Sequence, residues 1–147
     1  MKVWQHSEWI KRPPEDVFDF FFDLSNAPRW RSFVRSMEKV GSDQPGPGTR
    51  YLTKLDVLGE ELECEITLTA LERPQLWRHR TAETDVIGQI EYRLIPDRNG
   101  TRVVLTGDAK PVTLYGWLSL PLALLSRGRA YREQLPRLKQ LLETTPE

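Results

Sequence analysis

Residues 60–71 alternate apolar and polar positions with almost no error. Leu62, Cys64, Ile66 and Leu68 fall on one face, and Glu61, Glu63, Glu65, Thr67 and Thr69 on the other. A period of two belongs to a strand with one buried and one wet face, and the acidic row is that wet face. Shorter runs rich in Val, Ile, Thr and aromatics predict further strands over 3–11, 33–40, 49–57, 76–82, 86–95 and 102–110. Turn chemistry separates them: Gln44-Pro45-Gly46-Pro47-Gly48, then Glu72-Arg73-Pro74-Gln75, then Asp97-Arg98-Asn99-Gly100 with Asn-Gly as the hairpin signal. After the first strand, Pro14 suits a first helical turn, and Glu15 and Asp16 complement its positive end. Val17, Phe18, Phe21 and Phe22 then form one helical stripe. Asp23 to Pro28 breaks that helix, and Ser25 or Asn26 can cap a second short one carrying Trp30.

The last third changes period. Leu114, Leu118, Pro121, Leu125, Gly128, Tyr131, Leu135, Leu138 and Leu142 step by three or four, which predicts one long amphipathic helix bent at Pro121 and Pro136. The order is β–α–α–β×6–α. A seven-stranded antiparallel sheet with its wet residues on one face must bury the other, and the long helix is the element able to cover it.

Strand parity assigns the inner wall. If a four-residue turn pairs Leu71 with Leu76, Trp77, His79 and Thr81 share the inward face with Leu62, Cys64, Ile66 and Leu68. The same alternation places Tyr51, Thr53, Leu55 and Val57 inward, then Gly88, Ile90, Tyr92 and Leu94, then Val103, Leu105, Gly107 and Ala109. Two registers are open for the first strand: Trp4, His6 and Glu8 inward, or Val3, Ser7 and Trp9. The 33–40 strand carries no parity that orients it.

Composition narrows the function. The chain has 147 residues, read as one domain over 1–147, with 21 Lys and Arg against 21 Asp and Glu. Without a surplus of cations there is no global attraction to nucleic acid or an anionic membrane. One Cys excludes an internal disulfide, and one Cys with two His excludes a four-ligand Cys/His zinc site, so no metal is expected. No phosphate-cradling Gly loop or Gly-x-Ser-x-Gly elbow occurs, and no cofactor is expected. The N-terminal residues lack a signal-peptide apolar stretch, and no run is long enough to span a bilayer, so the expectation is a cytoplasmic protein without stable membrane insertion. What stands out is 14 aromatics, five of them Trp.

The stretch Ile10-Lys11-Arg12-Pro13-Pro14-Glu15-Asp16-Val17-Phe18, followed by Asp23-Leu24-Ser25-Asn26-Ala27-Pro28-Arg29-Trp30, resembles the opening of the polyketide cyclase/dehydrase and lipid-transport family of the START-like (SRPBCC) superfamily. Gly100-Thr101-Arg102-Val103 looks like its final hairpin, and Leu135 to Glu143 like its helix end. The resemblance implies an α+β helix-grip fold: a seven-stranded antiparallel sheet curved round the C-terminal helix, two short helices after strand 1, and a cavity between sheet and helix. It implies a small hydrophobic ligand, lipid-like or aromatic, and a function in binding or lipid transport. These are fold motifs and carry no chemistry, so function rests on the site.

The candidate ligand-binding wall is Trp4, Tyr51, Leu55, Leu62, Cys64, Ile66, Trp77, Ile90 and Tyr92, with Leu118 and Leu125 from the helix and His6, Thr53 and His79 as polar interruptions. Apolar walls with a few hydrogen-bonding groups are how small-molecule pockets are built. His79 and His6 are the inward groups that titrate near neutrality, hence the candidate general bases of a cofactor-free cyclase or dehydratase. Cys64, with no cation on its face, reads as a small buried hydrophobe. The segment from Leu114 to Leu125 is apolar nearly all round, so Trp117, Leu120 and Leu124 need a second partner, for which a homodimer is one candidate.

Overall fold

A computed structural model describes residues 2–57, 59–82 and 85–144, with backbone alone at 2, 3, 57, 82 and 123–127. The order of elements is β1 (Lys2–Ile10), α1 (Pro14–Phe22), α2 (Ala27–Trp30), β2 (Val34–Lys39), β3 (Arg50–Val57), β4 (Glu60–Glu72), β5 (Leu76–Ala82), β6 (Val86–Asp97), β7 (Gly100–Pro111) and α3 (Leu114–Thr144). The strands form one antiparallel sheet in the order β1-β7-β6-β5-β4-β3-β2, so each hairpin from β2 to β7 pairs with its sequence neighbour and β1 closes on β7. This is the helix-grip architecture, with α3 packed along the concave face against β1 and β7 and touching α2.

Local chemistry explains the boundaries. Pro14, Glu15 and Asp16 occupy the first turn of α1. Asn26 holds the N-cap position of α2 but makes no side-chain cap bond there, while the Asp23 carboxylate accepts from the Ser25 N–H at 3.1 Å and caps a 3-10 turn over Leu24–Asn26 that leads into α2. Asn26 instead donates its side-chain amide to the Phe20 carbonyl at 3.1 Å.

Two β-bulges explain what parity did and did not reveal. The β4–β5 turn pairs Glu72 with Leu76 and Leu71 with Trp77, one residue off the expected pairing. A bulge between Leu68 and Ala70 absorbs the difference, so Leu68 faces His79 and Ile66 faces Thr81, and Trp77, His79 and Thr81 share the concave side. In β2 a second bulge, between Val34 and Ser36, leaves Val34 and Met37 both buried at a spacing of three. A one-residue insertion reverses the alternation, and for this reason no period-2 reading could orient that strand. In β1 the concave row is Trp4, His6, Glu8 and Ile10: Trp4 stacks on Tyr131 of α3 at 4.4 Å, and Glu8 lies 3.9 Å from Lys139 of α3.

The phase of α3 corrects one expectation. Its C-terminal half buries Leu135, Leu138 and Leu142 as the stripe predicts, but further up Leu120 is buried, 6% exposed, and Leu118 is 72% exposed. Steps of three and four accumulate error. At about 100° per residue, Leu118 sits about 200° round from Leu138, whereas Leu120 returns to the same face. Leu118 is therefore no part of the inner wall, and Leu120 no part of an outer one. The side chains of Leu124 and Leu125 lie outside the described residues. The N-terminus of α3 is tied down by Thr113, whose hydroxyl accepts from the Gly116 N–H at 3.0 Å and donates to the Asp85 carboxylate at 2.7 Å.

The last hairpin turns on Arg98 and Asn99, both with positive φ, rather than on Asn-Gly. Gly100 has another task. A Cβ there would lie 2.4 Å from the Ile10 carbonyl and 2.8 Å from the Trp9 ring, so only glycine lets β7 meet the end of β1. Because the obstacle is backbone, Gly100→Ala should cost about 1 kcal/mol or more in urea unfolding with an unchanged m value.

Candidate functional site

Following the inward row of β4 shows where the grip opens. Leu68 and Ile66 are buried, Cys64 is half-buried, and Leu62 is 46% exposed. In β3, Tyr51 and Thr53 are buried and Leu55, paired with Leu62, is half-buried. The closed end is filled by rings. Phe21 of α1 meets Tyr92 at 4.7 Å and Trp77 at 5.5 Å, Trp30 of α2 meets Tyr92 at 5.7 Å, and Tyr51 meets Trp77 at 5.4 Å. These aromatics make core.

Beyond that plug lies a cavity of about 70 Å³. Its apolar walls are Phe33 and Val34 of the α2–β2 segment, Leu55, Cys64, Ile66, Ile90 and the ring of Tyr131; its polar groups are Arg31, Thr53, His79, Thr81, Tyr92 and Gln134. A space of that size holds a pair of waters or one small polar group. It is well below the roughly 300–1,000 Å³ of a pocket that encloses a drug-sized ligand. Leu55 in its wall pairs with the exposed Leu62, so an apolar strip runs from the cavity lining to the rim of the sheet.

The polar groups are organised by two internal hydrogen bonds. The Trp77 indole N–H donates to His79 Nδ1 at 2.8 Å. An indole only donates, so His79 Nδ1 is the acceptor and the ring, when neutral, carries its proton on Nε2. Burial, with the charge of Arg31 adding to it, lowers the His79 pKa to about 3 and keeps it neutral at physiological pH. The Tyr92 hydroxyl donates to Gln134 Oε1 at 2.6 Å, and burial raises its pKa above the usual tyrosine value. Thr53 Oγ1 is buried with no hydrogen-bond partner.

Arg31 is the residue the sequence did not point to. It follows Trp30 directly and is 6% exposed, with its guanidinium 4.5 Å from the Trp30 ring, 5.1 Å from Phe21 and 5.2 Å from Tyr92. Arg29, two residues earlier in the same turn, is exposed. No property of the residue type separates the two.

Of the expected wall, Thr53, Leu55, Cys64, Ile66, His79, Ile90 and Tyr92 border this cavity. Tyr51 and Trp77 lie on the same concave face but in the aromatic plug. Trp4 stacks behind the Tyr131 ring that lines the cavity without bordering the cavity itself, and His6, half-buried with Nε2 unpartnered and its pKa lowered by burial, does not border it either. Leu62 forms the rim. Leu118 faces outward with Trp117, 60% exposed, and Leu122, so the outer apolar surface of α3 is built from these residues and not from Leu120. Among the described residues no three His, Cys, Asp or Glu side chains converge as metal ligands would, and no helix is long and apolar enough to cross a membrane.

Solved structures share this architecture. The protein TTHA0849 from Thermus thermophilus superimposes with a TM-score of 0.76 at 21% identity, over 97% of this chain and 98% of that one. The Zhui aromatase/cyclase from Streptomyces sp. R1128 gives a TM-score of 0.76 at 20% identity, over 95% of this chain and 92% of that one. A START superfamily protein from Mycobacterium smegmatis gives 0.65 at 9% identity, over 94% and 97%. Identities this low establish a shared fold, and sites vary freely upon a fold. No curated protein matches the sequence. The sequence profile of polyketide cyclase/dehydrase and lipid transport proteins matches residues 3–143, and the chain belongs to that family.

Proposed function

We propose that the chain binds a small, largely apolar ligand whose inner end enters the cavity between sheet and α3. The observation that carries this reading is the graded opening of the concave face, from buried Leu68 to exposed Leu62, with a cavity between that face and Tyr131 and Gln134 of α3. Burial of ligand surface against Leu55, Ile66 and Ile90 would supply roughly 25 cal/mol per Å² before ordering costs. Native mass spectrometry of protein purified from its own host tests it. The expected result is a small non-covalent adduct that raises the unfolding temperature when added back. Leu55→Trp, which narrows the cavity from its half-buried side, should lose the adduct while remaining folded. Absence of any adduct, with no stabilisation by a panel of lipids and aromatic acids, would overturn the reading.

A cyclase or dehydratase using His79 as base is less well supported. Its Nδ1 lone pair is held by Trp77, its other nitrogen carries hydrogen, and a pKa of about 3 makes it a feeble base at neutral pH. His79 is better suited to donate a hydrogen bond to an oxygen of the ligand.

A further inference from the structure

Arg31 is held in a way that a structural arginine is not. Among the described residues no carboxylate lies within ion-pairing distance of it. Its Nε is buried without a hydrogen bond, and Nη1 reaches only the thioether of Met37 at 3.7 Å. The three rings around it offer their faces to the cation and compensate part of its lost hydration. They do not satisfy the donors in the guanidinium plane, which are five N–H groups in a fixed fork. Of the acceptors nearby, His79 Nδ1 takes the Trp77 hydrogen and Gln134 Oε1 that of Tyr92, and no side-chain oxygen of the cavity lining accepts from Arg31 Nε. Natural proteins bury a cation paired, and this one has none of the usual partners.

The rest of the cavity has the same polarity. His79 presents Nε2–H, and the Thr53 hydroxyl is buried without a partner. The described lining therefore carries one cation, Arg31, and no carboxylate around a space that one small polar group fills. From that group the wall runs over Leu55 to Leu62 at the surface.

We infer that Arg31 is the receptor for an oxygen-borne negative charge at the inner end of the ligand, a carboxylate or its equivalent, with Thr53 and His79 as supporting donors and the apolar remainder lying outward along Leu55 and Leu62. This rests on the ligand-binding reading above and narrows the ligand to an amphipathic acid. A carboxylate matches the guanidinium fork with two parallel hydrogen bonds, a geometry that a lysine in the same place would not offer.

The test compares two probes of the same length, octanoate and 1-octanol, by titration calorimetry at pH 7.5. Wild-type protein should bind octanoate at least tenfold more tightly than 1-octanol. Arg31→Met, similar in length but uncharged, should abolish that preference by weakening octanoate at least tenfold while leaving 1-octanol unchanged or tighter. Arg31→Lys should keep the preference for the acid at lower affinity. Near-ultraviolet circular dichroism of the tryptophans verifies that each variant is folded. Equal affinity of the wild type for the two probes, or an unaltered preference in Arg31→Met, would overturn the inference and leave the ligand-binding reading intact. If the wild type takes up neither probe and yields no adduct from its host, the ligand-binding reading falls and this inference with it.

Discussion

Between pH 6.5 and pH 4, wild-type protein should lose unfolding free energy faster than His79→Gln, by a difference approaching 1.4 kcal/mol for each pH unit, about one proton's worth. The cause is the buried imidazole. In the unfolded chain His79 titrates near 6.5, whereas burial and Arg31 hold it to about 3 in the fold. Above pH 6.5 the ring is neutral in both states and costs nothing. As pH falls below that value the unfolded chain binds a proton that the folded one refuses, so stability drains away until about pH 3. Gln removes the titration and retains an oxygen to accept the Trp77 N–H. Urea unfolding at half-unit pH intervals, with the two proteins compared at each pH, gives the difference directly. His6 also has its pKa lowered and acts with the same sign, so His6→Gln is the necessary companion. The Glu91 carboxyl, held down by hydrogen bonds from Arg78 and Arg93 in spite of its burial, loses its contribution only as pH falls through the carboxylate range, and does so in all three proteins. Parallel curves for wild type and His79→Gln above pH 5 would show that the imidazole is hydrated or protonated in the fold, and its burial as a neutral ring would be overturned.

How much of this was legible in the sequence depends on which physical signal each residue carries. Strand parity marks Thr53, Cys64, Ile66, His79, Ile90 and Tyr92 as inward because one wet and one buried face impose alternation over many residues. The same rule is silent at β2, where a bulge puts Val34 and Met37 three apart on one side. It reached the right face of β5 from a turn pairing one residue off, because the bulge beside Leu68 restored the phase. On α3 the spacing rule succeeds over Leu135, Leu138 and Leu142 and fails at Leu118, since an apolar run offers a choice of stripe and only the true period selects among them. Arg31 lies in a short turn with neither period, and burying it contradicts the strongest prior for its residue type. The aromatic count with strand parity set Trp4, Tyr51, Trp77 and Tyr92 on a cavity wall and missed the plug around Trp77 and the Trp4–Tyr131 stack, which depend on where α1 and α3 come to rest.

A second large effect has an unusual sign. Arg31→Met should make the ligand-free protein more stable, by about 2 kcal/mol, or ~4–8 °C in unfolding temperature for a chain of this size. Removing one member of a buried ion pair normally destabilises because it strands the other charge, but Arg31 has no carboxylate to strand among the described residues. What the substitution deletes is the cost of keeping a cation dehydrated with its Nε unbonded. What it sacrifices is the attraction of the rings of Trp30, Phe21 and Tyr92, worth about 2 kcal/mol or more for a cation this buried, against a dehydration penalty of several kcal/mol. Methionine fills much of the same volume and makes its own contacts with aromatic edges, so packing changes little. The balance therefore favours the variant, in the manner of binding sites that retain groups against the interest of the fold. Octanoate should then narrow the gap, since at a hundredfold excess over its dissociation constant a ligand adds about 2.7 kcal/mol to the form that binds it and little to the form that does not. Differential scanning calorimetry with and without octanoate measures both quantities. An Arg31→Met protein less stable than wild type by 1 kcal/mol or more, with no narrowing on adding octanoate, would make Arg31 a cation of the aromatic core and not a site for an acid.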